Sequence, residues 1–175
     1  MLKHKSTKTP MLTLYNVISS DGFIAREDGS EDFIPDDTWL YFLNLCEKYG
    51  AVIMGRKTYE TIQKYDKKLL APFEYLPIQK IIVTGNTKFH PKEGYIAVHS
   101  PEDAVLRSPN ALVSSGPTLN NYLLKNHFVV SIILNEIPVA IQKGLRPFDQ
   151  KDFNLTPAEV SLKDNRENIK EYIVS

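Results

Sequence analysis

Apolar residues fall in short runs divided by polar turns, and the runs alternate with stretches of helical period. Residues 11–18 are rich in β formers and read as a first, central strand. The polar turn Ser19-Ser20-Asp21 leads through Gly22-Phe23-Ile24-Ala25 into a solvated loop turned at Asp28-Gly29. A helical pattern covers 38–49, with Asp36 or Asp37 as N-cap and Gly50 as the stop. The run 51–54 is a second buried strand, broken at Gly55 and continued as a helix that fades by about Lys64. Residues 65–77 carry Asp66, Lys67, Lys68, Pro72 and Pro77 and read as an exposed loop with little regular structure.

Further strands are predicted at 79–84, 95–98, 110–114 and 128–134. Ser100 and Pro101 open a short helix with acids in its first turn, and residues 118–125 form another after the Ser115-Gly116-Pro117 turn. A loop over 138–148 turns at Lys143-Gly144. Two alternating stretches, 158–163 and 168–174, joined by polar residues 164–167, predict a closing antiparallel hairpin at a sheet edge. The fold class that follows is α/β: a mostly parallel sheet with helices on both faces and an antiparallel edge.

With 175 residues and no repeat or linker, residues 11–175 read as one domain behind a loose basic arm, residues 1–10. Lys+Arg and Asp+Glu balance at 21 each, so nothing draws the whole molecule to nucleic acid or an acidic membrane, and an anion site must be local. The single cysteine, Cys46, excludes an internal disulfide and fits a reducing, cytoplasmic setting; no signal-like or membrane-spanning apolar run is present. His4, His90, His99 and His127 lack ligand spacing, so no metal site is expected.

Chemistry concentrates at strand ends. Gly55-Arg56-Lys57-Thr58 follows a buried run and opens a helix. Such a junction leaves backbone N–H groups free at the positive end of a helix dipole, beside a planar guanidinium, a mobile ammonium and a hydroxyl. The same pattern is also an ordinary α/β turn. Thr84-Gly85-Asn86 and Ser115-Gly116-Pro117-Thr118 end two further buried strands. If these strands are parallel, all three turns share one rim and can grip a pyrophosphate. Neither the dinucleotide glycine fingerprint nor a Walker lysine loop is present.

Taken in order, Ser19-Ser20-Asp21-Gly22-Phe23-Ile24-Ala25, Gly55-Arg56-Lys57-Thr58-Tyr59-Glu60, Ser115-Gly116-Pro117-Thr118-Leu119, Pro138-Val139 and Gly144 to Phe148 resemble the dihydrofolate reductase-like superfamily. Within it the chain most resembles the reductase domain of the riboflavin-biosynthesis deaminase-reductase and its stand-alone relatives. The similarity spans residues 11–174. It implies about eight strands, NADPH as hydride donor and a homodimer. The family's cofactor turn carries over to Gly55, Arg56, Lys57 and Thr58, its third-strand turn to Thr84 and Gly85, and its paired glycines, often joined by a cis peptide, to Ser115-Gly116. Pro117 and Thr118 complete that turn.

Serine in place of the first glycine is a departure, as are Val130-Ser131 where relatives carry an acidic pair, and Gln142 where glycine is common. For proton transfer the resemblance points to Asp21, which could equally cap Gly22, and to Asp36 or Asp37, at the place of the dihydrofolate reductase acid, where N-capping of the helix is the stronger explanation. Trp39 either stacks a heterocycle or belongs to the core. Arg26 and Lys67-Lys68 either meet a substrate phosphate or are solvated. The expected activity is reduction of a small heterocyclic or ribose-bearing substrate by NADPH, with 5-amino-6-(5-phosphoribosylamino)uracil of the riboflavin pathway as one candidate. The alternatives are a dihydrofolate or pterin reductase and a non-catalytic nucleotide-binding relative.

Overall fold

The computed structural model describes residues 9–152, 154–158 and 167–175. Most of the basic arm, most of the stretch 158–163 and its turn at 164–166 lie outside the described residues. The strands are β1 Leu12–Ser19, β2 Ala51–Gly55, β3 Gln79–Val83, β4 Ile96–Val98, β5 Leu112–Val113, β6 Val129–Ile137, β7 Leu155–Pro157 and β8 Ile169–Val174. They form one eight-stranded sheet in the order β4-β3-β2-β5-β1-β6-β8-β7. The first six run parallel, and β8 is antiparallel to both its neighbours. The expected α/β class and antiparallel edge are both present. The partner of β8 in the edge hairpin is Leu155–Pro157, ahead of the predicted stretch.

The helices are α1 Asp37–Tyr49, α2 Arg56–Ile62, α3 Lys67–Tyr75, α4 Pro101–Arg107 and α5 Pro117–Lys125. Strands β2 to β4 build outward on one side of β1, then β5 returns between β1 and β2 and β6 lies on the other side. With right-handed crossovers this reversal puts the connecting helices on opposite faces. One face buries Phe42, Leu45 and Cys46 of α1, Tyr59 and Ile62 of α2, and Leu70 and Phe73 of α3. The other buries Ala104 and Val105 of α4 with Leu119, Leu123 and Leu124 of α5. The two cores sandwich fully buried Leu12, Leu14, Ile53, Met54, Ile81, Ile82 and Leu112, each contributing about 1.5–3 kcal/mol of transfer free energy. The ends of β2 and β3 are therefore held at matched heights, with Gly55 opposite Val83.

Residues 65–77 depart from the sequence expectation. Prolines there read as breakers, yet α3 occupies Lys67–Tyr75 with Pro72 inside it. Asp66 caps it by accepting from the Lys68 N–H at 2.8 Å, and Leu70 and Phe73, three apart, bury one face. Packing of that face outweighs the bond Pro72 cannot make. A carboxylate cap on α1 is also absent: the Asp36 side chain makes no cap bond, and Thr38 Oγ1 donates to the Pro35 carbonyl at 2.7 Å instead. Gly50 closes α1 at φ 70, as its position after the last apolar residue implies. Trp39 belongs to the core: its ring lies 5.1 Å from those of Phe42 and Tyr65, and its indole N–H donates to the Leu69 carbonyl.

Candidate active site

In a sheet whose strand order reverses, the reversal opens a crevice at the carboxyl ends of the strands. Here β3, β2, β5 and β1 are consecutive neighbours. The turns after β2, β3 and β5 therefore stand side by side on one rim. Two helices begin there without a side-chain cap, α2 at Gly55 and α5 at Gly116, so their first backbone N–H groups lack the usual partner. Pro117 opens α5 with fixed φ and no N–H of its own to satisfy. Thr118 is exposed beside it.

The two turns are bonded to each other. The Gly55 N–H donates to Ser115 Oγ at 3.0 Å, and the Ser114 N–H donates to the Ile53 carbonyl at 3.0 Å. Thus Ser115 is buried and acts as a strut between β2 and β5. No peptide bond among the described residues is cis, so the implied cis linkage at Ser115-Gly116 is replaced by a trans bond. Gly116 is extended, at φ −85 and ψ −179, and a Cβ built on it would meet no atom within 4 Å. Nothing among the described residues requires glycine at that position.

Cations flank this junction. Arg56 pairs only loosely with Glu60, Nε to Oε1 at 3.5 Å, both side chains being partly exposed. Such an exposed pair is worth little and leaves the guanidinium available to an anion. Lys57 and Thr58 follow Arg56 in the first turn of α2, Lys57 exposed and Thr58 half-buried. At the third turn Thr84 is buried, and its hydroxyl is spent on the Asn86 N–H at 3.2 Å. Gly85 is open on its Cβ side. The His99 ring meets the Thr84 carbonyl at 3.2 Å, where a shallow depression lined by Ala97, Val98, Asp103 and Arg107 begins. That depression is at the β4 edge of the rim, away from the Gly55–Ser115 junction.

The carboxylates have distinct fates. Asp21 does not cap Gly22, whose N–H donates to the Ser19 carbonyl. It accepts from Ser19 Oγ at 2.7 Å, from the Gln142 N–H at 2.7 Å and from the Ile141 N–H at 3.2 Å. The Ser19 hydroxyl first, helped by these two amides, holds its carboxyl below the ordinary carboxylate range against the opposing effect of desolvation. The Asp21 carboxylate ties the turn after β1 to the loop after β6. Gln142 sits there at φ 68, where glycine would be unstrained. Neighbouring Gly144 is required, because a Cβ on it would lie 2.2 Å from the Ala25 carbonyl oxygen.

Asp37 is exposed at the first turn of α1, which starts on the carboxyl rim and runs back along the sheet. Glu31 was not singled out by sequence: it accepts from the Tyr65 hydroxyl at 3.0 Å, and burial pushes its carboxyl up. Arg26 is engaged by Asp32, while Lys67 and Lys68 are exposed at the start of α3. The Val130-Ser131 departure lies at the opposite end of the sheet, where Ser131 Oγ meets Thr13 Oγ1 at 2.9 Å.

No family model matches the chain. The uncharacterised Bacillus subtilis protein YwjB is 26% identical over 147 residues, 78% of this chain and 82% of its own. A candidate riboflavin biosynthesis protein of Shewanella sp. PV-4 superposes with a TM-score of 0.69 at 17% identity, covering 94% of this chain and 99% of that one. Dihydrofolate reductase from Enterococcus faecalis, solved with NADP(H), superposes with a TM-score of 0.62 at 16% identity, covering 95% of each chain. This chain has the dihydrofolate reductase-like fold.

On that fold, sequence reasoning placed the three rim turns together and missed the polar network beneath them. Asn16 and Asn120 were each legible as an amide interrupting an apolar pattern, Asn16 among Leu14, Val17 and Ile18, and Asn120 among Leu119, Leu123 and Leu124. The contacts of Asp21 with residues 141 and 142 had no local signal, since they join positions 120 and more apart.

Proposed function

We propose that the chain is an NADPH-dependent reductase acting on a small heterocyclic or ribose-bearing substrate, with 5-amino-6-(5-phosphoribosylamino)uracil as the first candidate. One observation carries this reading: the Gly55 N–H to Ser115 Oγ bond joins two uncapped helix starts, with open space above Gly116 and Arg56 beside it. Converging N–H groups and a loosely held guanidinium suit a diphosphate and a further phosphate. The residues present fit NADPH, which supplies hydride when bound. In this reading Gly55, Ser115, Gly116, Pro117 and Thr118 form the floor, Arg56, Lys57 and Thr58 one wall, and Thr84 and Gly85 the outer end. Asp37 or a water near it supplies the proton. Asp21 holds the loops that border the substrate, and two copies of the chain assemble as a homodimer.

Thermal-shift titrations with NADPH and NADH test the reading. NADPH should stabilise the protein more than NADH, and Arg56→Ala should weaken NADPH binding by about 10- to 100-fold, as removal of a charge-assisted bond does. An unchanged shift in Arg56→Ala removes Arg56 from the site. A substrate panel followed by NADPH absorbance separates aminouracil from pterin reduction. The engagement of Asp21 favours one further reading, a nucleotide-binding relative without turnover. Binding of NADPH with no oxidation by any acceptor would select it.

A further inference from the structure

Beneath the rim, three oxygens converge on one buried amide. Asn120, fully buried on α5, places Nδ2 at 3.1 Å from Asn16 Oδ1, 3.0 Å from the Ser115 carbonyl and 2.9 Å from the Pro147 carbonyl. Asn16 adds a second donor to the Ser115 carbonyl at 3.0 Å. The orientation of the Asn120 amide is fixed by this surplus of acceptors, since a flip would set oxygen against oxygen. Its own Oδ1 is the one buried side-chain polar atom among the described residues with no partner.

A buried amide with one end overcommitted and the other unpaired contributes little to stability by itself. What the amide does is visible: from α5 it ties together β1 through Asn16, the β5–α5 turn through the Ser115 carbonyl and the segment before Phe148 through the Pro147 carbonyl. The Ser115 hydroxyl receives the Gly55 N–H. Two donors hold the Ser115 carbonyl from below and so fix the backbone from which its Oγ reaches the Gly55 N–H at 3.0 Å. We infer that Asn120, with Asn16, is a positioning residue for the dinucleotide site, setting the spacing between the Gly55 and Gly116 turns through Ser115 without touching the ligand. The inference rests on the dinucleotide reading of the rim.

The test uses Asn120→Ala, Ser115→Ala and the double variant of the full chain. Hydrogen exchange of the Gly55 amide is measured without ligand, and NADPH affinity, KM and kcat with it. Asn120→Ala should speed Gly55 exchange and weaken NADPH binding roughly 2- to 30-fold, raising KM more than it lowers kcat. The double variant should bind no more weakly than Ser115→Ala, because the effect passes through that residue. Should Asn120→Ala fail to fold, Asn16→Ala, which removes the other donor to the Ser115 carbonyl, carries the same expectations. A lower melting temperature with Gly55 exchange and NADPH affinity both unchanged overturns the inference, as do losses that simply add. If the unaltered protein ignores NADPH while Gly55 exchange still responds to Asn120→Ala, the dinucleotide reading fails and the coupling of the two turns stands.

Discussion

Gly116→Ala separates a glycine the fold needs from one a ligand needs. At φ −85 and ψ −179 any residue is allowed, and the added methyl would meet nothing within 4 Å. Replacing glycine at such a position removes freedom from the unfolded chain and contributes about 0.4–1 kcal/mol of stability. For a domain of this size that raises the melting temperature by roughly 1–4 °C. The same methyl stands above the first turn of α5, where a diphosphate would approach the backbone. Overpacking there costs about 1–3 kcal/mol, or roughly 5- to 150-fold in Kd. At NADPH near 100 times the unaltered Kd, the ligand stabilises by about 2.7 kcal/mol. A tenfold loss in affinity leaves about 1.4 kcal/mol, so close to half of the ligand-induced shift disappears. Scanning the variant with and without NADPH reads both terms. An undiminished NADPH shift would place the ligand elsewhere, and an apo melting temperature lowered by several degrees would show that the fold itself needs this glycine.

Three other substitutions probe the frame around the rim. Gly144→Ala should lower stability by about 2–4 kcal/mol in denaturant unfolding, because the Ala25 oxygen that it strikes also accepts from the Leu145 N–H at 2.8 Å and cannot retreat freely. Asp21→Asn puts an amide hydrogen against backbone N–H groups, so the melting temperature should fall at neutral pH. Because the folded carboxyl titrates below its unfolded value, that deficit should shrink as pH drops through the folded value, and a pH-independent deficit would refute the tie. Glu31→Gln keeps an acceptor for the Tyr65 hydroxyl and removes a charge that burial disfavours. Its stabilising effect should grow in melting curves as pH rises from the unfolded carboxyl value through the raised folded one, since a raised folded carboxyl loses stability over that window.

Local pattern settled much of this protein. Runs of β formers ending at Gly55, Gly85 and Gly116 marked buried strands with polar exits, and their alternation with helical stretches set the α/β class. Those features are carried by neighbouring residues, so the period and the turn chemistry suffice to read them. Helix α3 was illegible because Pro72 argues against it locally, and only the burial of Leu70 and Phe73 against α1 and the sheet reverses that. The roles of Ser115, Asn120 and Asp21 were decided later still, by partners 60, 104 and 121 positions away. A hydrogen bond is made at about 3 Å whatever the chain separation, so which donor meets which acceptor is fixed only when the strand order brings β2, β5 and β1 together.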